Sequence, residues 1–179
     1  MKKILVVLFT VVLVSMSASA FAAQKMGKGA KEVAAFASIS STDSSPGGTS
    51  KDQTLALGFG YFLTDPISVG ARIDEMMTKS QGFKVSTTFI EVEGKYHFYQ
   101  KSQPVIPYAG LSLGAAMTEM AGDSSTGILF QPKAGVKMFL SENIAANAEL
   151  NYSIYDSEMA GADVTNKTLK LQVGLSMFF

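Results

Sequence analysis

The amino-acid sequence predicts an all-β fold, an eight-stranded antiparallel up-and-down β-barrel over residues 31–179. Three observations lead there. Large apolar residues alternate with small or polar ones almost to the last residue, four of the apolar stretches end in one shared pattern, and 16 Gly, 12 Phe and 6 Tyr occur with no Trp. Period-two alternation marks strands with two unlike faces, and Gly with aromatics suits strands whose backbones approach closely. A chain of 179 residues that is 47% hydrophobic and 17% charged is too apolar to stay disordered. Lys plus Arg equals Asp plus Glu at 15 each, so no basic field attracts a nucleic acid. The absence of Cys removes disulfides, thiolate metal sites and thiol nucleophiles.

In chain order, Lys2 and Lys3 precede an apolar run over residues 4–14 that turns small and polar by residue 20. This is the pattern of a secretory signal peptide, residues 1–22, with cleavage after Ala22 or, as a second candidate, after Ala20. The run is shorter than the ~20 residues a membrane helix needs, which disfavours an uncleaved anchor. Residues 23–30 read as a polar periplasmic leader. The first strand, Val33-Ala35-Ala37-Ile39, carries the faintest alternation. Leu55-Leu57-Phe59-Tyr61-Leu63 then alternates with Ala56, Gly58, Gly60 and Phe62, and Thr64-Asp65-Pro66 turns the chain into Ile67-Val69-Ala71-Ile73. Ile90-Val92-Gly94-Tyr96-Phe98 and Pro107-Ala109-Leu111-Leu113-Ala115 make the next pair of runs, joined by a turn over residues 100–103. Phe130-Pro132-Ala134-Val136-Met138-Leu140 is followed by Ser141-Glu142-Asn143 and by Ile144-Ala146-Ala148-Leu150-Tyr152-Ile154. The last strand, Leu169-Leu171-Val173-Leu175-Met177-Phe179, alternates most clearly of all.

Gln172-x-Gly174-x-x-Met177-x-Phe179 recurs at Ala56 to Leu63, at Lys133 to Leu140 and, with Glu for Gly, at Glu91 to Phe98. The spacing of roughly 40 residues is a hairpin repeat, because each period holds two strands and not the four of a propeller blade. Short turns follow these endings, whereas the connections at residues 40–53, 76–84, 118–127 and 156–166 are predicted as longer loops rich in Ser, Thr, Gly and acids. Turns at one rim and loops at the other suit a barrel inserted into a membrane from one side.

Residue size decides which face meets lipid. Gly58, Gly60, Ser68, Gly70, Gly110, Ser112, Gly114, Gly135, Gly174 and Ser176 share the polar face, as eight strands around a narrow lumen require. The same parity carries Arg72, Lys95, Lys133, Lys137 and Lys170 with Asp74, Glu91, Glu93 and Glu149, and His97 among them. Such groups must pair inside a barrel, since an isolated buried charge costs several kcal/mol; a charge-plugged lumen follows. The apolar faces match the length a tilted strand needs to cross the ~25 Å apolar band. Tyr61, Phe98 and Phe179 at one end and Phe130 and Tyr152 at the other resemble aromatic girdles. The fold class is therefore a transmembrane β-barrel.

The ending Gln172, Gly174, Met177, Phe179 resembles the assembly signal of bacterial outer-membrane barrels, and the whole mature chain resembles small outer-membrane proteins of the OmpA-barrel and OmpX type. That resemblance implies residence in the outer membrane of a Gram-negative-type bacterium, contact with its lipid and lipopolysaccharide, and recognition of the last strand by the assembly machinery. With Phe179 at the end, a periplasmic peptidoglycan-binding domain is not expected.

Chemistry is sparse. His97 is the single histidine. Some barrels of this size are lipid A deacylases with a Ser two residues from the His, but Lys95 and Tyr99 stand there. Glu91 and Glu93 could split their pKa values for acid–base work, yet they face lysines that neutralise them. Gly58-Phe59-Gly60 lies within a strand and is no phosphate loop, and Asp156-Ser157-Glu158 with Asp163 is too loose for calcium. No cofactor or metal site is expected. The loop acids Glu119, Asp123, Asp156, Glu158 and Asp163 stand against Lys167, and the flexible stretch over residues 40–48 could order on an unknown extracellular ligand. The expected role is structural or surface-interacting and not enzymatic. The competing readings are a small-solute or hydrophobic-compound channel, a lipid-modifying enzyme and a soluble periplasmic barrel.

Overall fold

The structure is a computed structural model that describes residues 26–44, 48–80, 83–98, 104–120, 123–159 and 162–179. The signal segment, both cleavage positions, the start of the leader and the turn at residues 100–103 lie outside the described residues. Eight strands follow in order: β1 Lys31–Ser44, β2 Gly48–Phe62, β3 Ile67–Ser80, β4 Phe83–His97, β5 Val105–Met120, β6 Asp123–Phe139, β7 Ile144–Met159 and β8 Ala162–Phe178. Each pairs antiparallel with its neighbours in sequence, and β8 returns to β1 to close the barrel. Closure leaves no open edge where it holds, which is what a sheet in hydrocarbon requires. Among the described residues no helix is long and apolar enough to cross a membrane; the crossing is made by strands.

Parity along each strand becomes inside and outside. On β8 Leu169, Leu171, Val173, Leu175, Met177 and Phe179 point outward, while Lys170, Gln172, Ser176 and Phe178 are buried within. The outward faces form a continuous apolar wall, with Leu57, Val92, Leu113 and Leu171 each at least half exposed. A surface that size has no soluble equivalent outside an interface. Tyr61, Phe98, Phe130, Tyr152 and Phe179 all lie on this outer wall.

The strands run 14 to 17 residues, longer than the apolar alternation. Most of the predicted loops are strand: β1 and β2 stay in register to Ser44↔Gly48, β3 and β4 to Ser80↔Phe83, β5 and β6 to Met120↔Asp123, β7 and β8 to Met159↔Ala162. The physical reason is that ladders are built from backbone groups and continue through Ser and Thr in water, whereas alternation records only the part that faces lipid. The loop rim therefore carries extended hairpin arms. Of the acids assigned to loops, Glu119 and Asp156 are exposed on these arms; the side chains of Asp123, Glu158 and Asp163, and the tip at residues 45–47, fall outside the described residues.

At the turn rim Leu63 N–H donates to the Ile67 carbonyl at 2.9 Å and Leu140 N–H to the Ile144 carbonyl at 2.8 Å. Residues 26–30 fold against this end. Gly29, at φ 88° where a side chain would be strained, donates its N–H to the Phe62 carbonyl, and Lys28 N–H donates to Asp65 Oδ1. Met26 is thereby buried at the mouth of the lumen.

Candidate functional site

The lumen is the one place in the described structure where polar side chains converge, and it is filled in three layers. At the turn end Met26, Phe62, Ile106, Phe139 and Phe178 form an apolar cluster. Toward the loop end Met76, Phe89, Ala116, Leu129 and Tyr155 form another. The ion-paired residues lie between these layers, while Asp52 is buried on the loop side of the second.

Arg72 on β3 is the centre of the middle layer. Its Nε and Nη2 grip both oxygens of Asp74 at 2.6 and 3.1 Å, Nη1 donates to Glu149 Oε1 at 2.6 Å, and Nη2 also donates to the Gln172 carbonyl oxygen. The guanidinium stacks over the Phe36 ring at 4.6 Å, a planar arrangement open to Arg and not to Lys. Tyr108 completes Glu149 by donating its hydroxyl to Oε2 at 2.7 Å. Glu93 accepts from Lys95 at 2.5 Å and Lys133 at 2.8 Å, while Glu91 faces Lys133 at 3.5 Å and the Gln131 amide at 3.4 Å. These pairs are buried, so each charge depends on its partner for the solvation that water would supply.

Nearer the turn end Lys137 pairs with Glu32 of β1, whose carboxylate also accepts from Ser176 at 2.5 Å. Glu32 was not among the predicted lumen charges. Its signal was present: it shares parity with Ala34 and Phe36, but β1 alternates faintly and its role depends on Lys137, 105 residues away. With Glu32 counted, the middle layer balances its cations with carboxylates. His97 is fully buried, with Nε2 3.0 Å from Ser68 Oγ and its ring 4.9 Å from Phe62 and 5.5 Å from Tyr108. Lys170 differs from the rest. Its ammonium lies 4.7 Å from the centre of the Phe89 ring, has no carboxylate within 4.0 Å among the described residues, and makes no hydrogen bond.

Two glycines are required by their neighbours. A Cβ on Gly174 would lie 2.7 Å from the Phe36 ring, and one on Gly135 would lie 2.6 Å from the Tyr108 ring. Phe36↔Gly174 and Tyr108↔Gly135 are direct cross-strand pairs, so each aromatic folds over the bare backbone opposite and reaches the charged layer. Of the four residues resembling an assembly signal, Gln172 and Gly174 belong to the lumen side and Met177 and Phe179 to the outer wall. The aromatic layers were not legible because Phe62, Phe89 and Phe178 interrupt the alternation, each beside an outward apolar residue, without showing that they meet inside the barrel.

Among the described residues no group of three or more acidic or His side chains stands in a metal-binding arrangement. A shallow depression at the turn rim, lined by Gly27, Lys28, Asp65 and Phe179, is wide open to solvent.

An outward apolar wall around a filled polar lumen is the arrangement of a bacterial outer-membrane barrel, and residues 8–176 match the profile of the outer membrane protein beta-barrel domain. The chain belongs to that family. This small barrel of the OmpA and OmpX kind is thus an integral protein of the bacterial outer membrane. Among solved structures it is similar to Neisserial surface protein A (20% identity, TM-score 0.60, 84% of this chain and 96% of that one). It is also similar to the outer membrane protein OprG from Pseudomonas aeruginosa (15%, 0.60, 87% and 99%) and to Ail, the attachment invasion locus protein of Yersinia pestis (13%, 0.54, 85% and 99%). At these identities the likeness is one of fold. Comparison with curated proteins finds no significant match.

Proposed function

We propose that this outer-membrane barrel is non-conducting and non-enzymatic, and that it serves the cell envelope as a structural wall carrying surface hairpins that contact an extracellular partner. The observation that carries this reading is the double seal of the lumen, with an apolar layer on each side of an ion-paired middle. Ions crossing it would have to displace Phe62 and Phe178 at one end and Phe89 and Leu129 at the other. The buried setting of Ser68 and His97 likewise supports a structural contact over lipid chemistry, because no lipid reaches them through the apolar layers. The turn rim with Phe179 is assigned to the periplasm, and the hairpin arms, facing lipopolysaccharide and the medium, offer the interacting surface. The similarity in fold to Ail, the attachment invasion locus protein, supports that role. Gln172, Gly174, Met177 and Phe179 are assigned to recognition of the last strand by the assembly machinery.

Conductance across planar bilayers tests the reading. The purified chain should give no sustained current, and a steady ion-selective current would overturn the sealed lumen. Lipid A mass profiles should be the same with and without expression.

A further inference from the structure

The loop-rim ends of β2, β3 and β4 place three lysines side by side. Lys51 of β2 is the register partner of Lys79 of β3, and Lys79 is in turn the register partner of Lys84 of β4. Both ladders run without a break from this level to the turn rim, so parity assigns the face. Lys51 shares it with Leu55, Lys79 with Ile73 and Lys84 with Ile90, all on the exposed apolar wall. The three lysines therefore belong to the outer face. Like charges directly opposite one another destabilise a sheet, and here two such pairs meet at Lys79.

The surrounding positions do not neutralise them. Toward the membrane the next level of the outer face holds Gln53, Met77 and Ser86, and Glu75 comes one level further, roughly 13 Å along the strand from Lys79. Asp43 stands opposite Thr49 and Glu119 opposite Ser86, each one diagonal step from an outer member of the three. Neither reaches the centre. Inside the barrel, by contrast, the cations of the middle layer are matched by carboxylates.

Height and number select the partner. Lys51 lies four residues beyond Leu55, which is 64% exposed on the apolar wall, and a tilted strand rises roughly 10 Å over that stretch. That is the level of the lipid headgroups, which flank a ~30 Å hydrocarbon core; a polymer in the medium would meet the hairpin tips first. Three neighbouring strands span about 10 Å, and three adjacent cations call for several anionic groups at close quarters, which a lipid with one phosphate does not bring.

We infer that the outer face of β2–β4 at the loop rim docks the clustered phosphates of lipopolysaccharide in the outer leaflet, with Lys51, Lys79 and Lys84 as the cationic contact. The site is on the flank of the barrel and is reached in the plane of the membrane, so it needs no opening in the wall. It rests on the proposed outward placement of the loop rim and gives that rim a definite partner.

The test uses the full chain folded in phosphatidylcholine nanodiscs, with fluorescently labelled rough lipopolysaccharide as probe and folding checked by the mobility of the unheated barrel on gels. Binding should saturate, and the combined variant Lys51→Gln, Lys79→Gln, Lys84→Gln should weaken it by about tenfold or more, because each lysine near an anionic membrane surface adds to affinity. The corresponding triple change to Arg should keep it. Lys167→Gln, which removes an exposed lysine of β8 at the same rim, should leave it unchanged, and chemically dephosphorylated lipopolysaccharide should bind both forms weakly and alike. Equal affinity of the folded triple Gln variant, an equal loss in Lys167→Gln, or undiminished binding of the dephosphorylated lipid would overturn the site. Lysine-dependent binding of soluble heparin with none of lipopolysaccharide would overturn the lipid assignment. Orientation is read separately, by antibody labelling of intact cells that carry a tag inserted at residues 45–47; labelling is expected, and its absence would overturn the outward placement of the rim, which the nanodisc titration does not measure.

Discussion

Gln172 and Val173 are neighbours in the chain with opposite surroundings, one fully buried against Arg72 and the other 51% exposed on the apolar wall. Val173→Lys should cost about 2–4 kcal/mol in folding into lipid vesicles, as a charge on a barrel's lipid face does. The informative lumen substitution is Gln172→Glu and not Lys, because a second cation would face Arg72; it should cost clearly less than Val173→Lys. Equal losses at both positions would refute the inside–outside assignment. A second contrast separates paired from unpaired charge. Arg72→Met strands Asp74 and Glu149 without a counter-charge and should cost about 3–5 kcal/mol, whereas Lys170→Met leaves no ion-pair partner behind and should be neutral or stabilising. Denaturant unfolding of both variants in vesicles measures the difference. The lumen side of Arg72 and Lys170 was legible in their parity. Which lysine would lack a partner was not, since that depends on Glu32, Asp74 and Glu149 arriving from three different strands.

Each strand states its two faces plainly and its length poorly. β8 was legible because all six of its outward residues from Leu169 to Phe179 are large and apolar, while β1, with Ala35 and Ala37 in that role, was faint. The hairpin arms beyond the membrane were read as loops because their ladders carry no apolar signal. The apolar layers inside the barrel belong to this scale too, since each gathers one residue from each of several strands. Phe178 touches Phe139 at 5.2 Å and Phe62 at 6.2 Å between ring centres. Phe178→Ala should cost about 3–5 kcal/mol by leaving a cavity, measured by unfolding in vesicles. It should still pass no current in planar bilayers, because the layer of Phe89 and Leu129 remains; current in this variant alone would show that the turn-end layer is the whole seal.

For the molecule as a whole, the balanced charge and the low charged fraction have one origin: most of the surface faces lipid, and many of the charges face one another. The expected export signal is tested at this scale as well. Mass spectrometry of the protein from outer membranes should find processing after Ala22, and an intact amino-terminal segment would refute the signal assignment. Cleavage there would leave Met26, which packs in the turn-end layer, a few residues from the new terminus. The sequence by itself determined the number of strands, their antiparallel order and the face each residue takes, because membrane and narrow lumen impose opposite demands on alternate residues of every strand. Only the tertiary structure decided the partners within the lumen, the folding of residues 26–30 against the barrel's end and the level, Ala37↔Val173, at which β1 and β8 part. These depend on register between strands far apart in the chain, and period-two alternation fixes a side chain's face but not its height or the neighbour it meets.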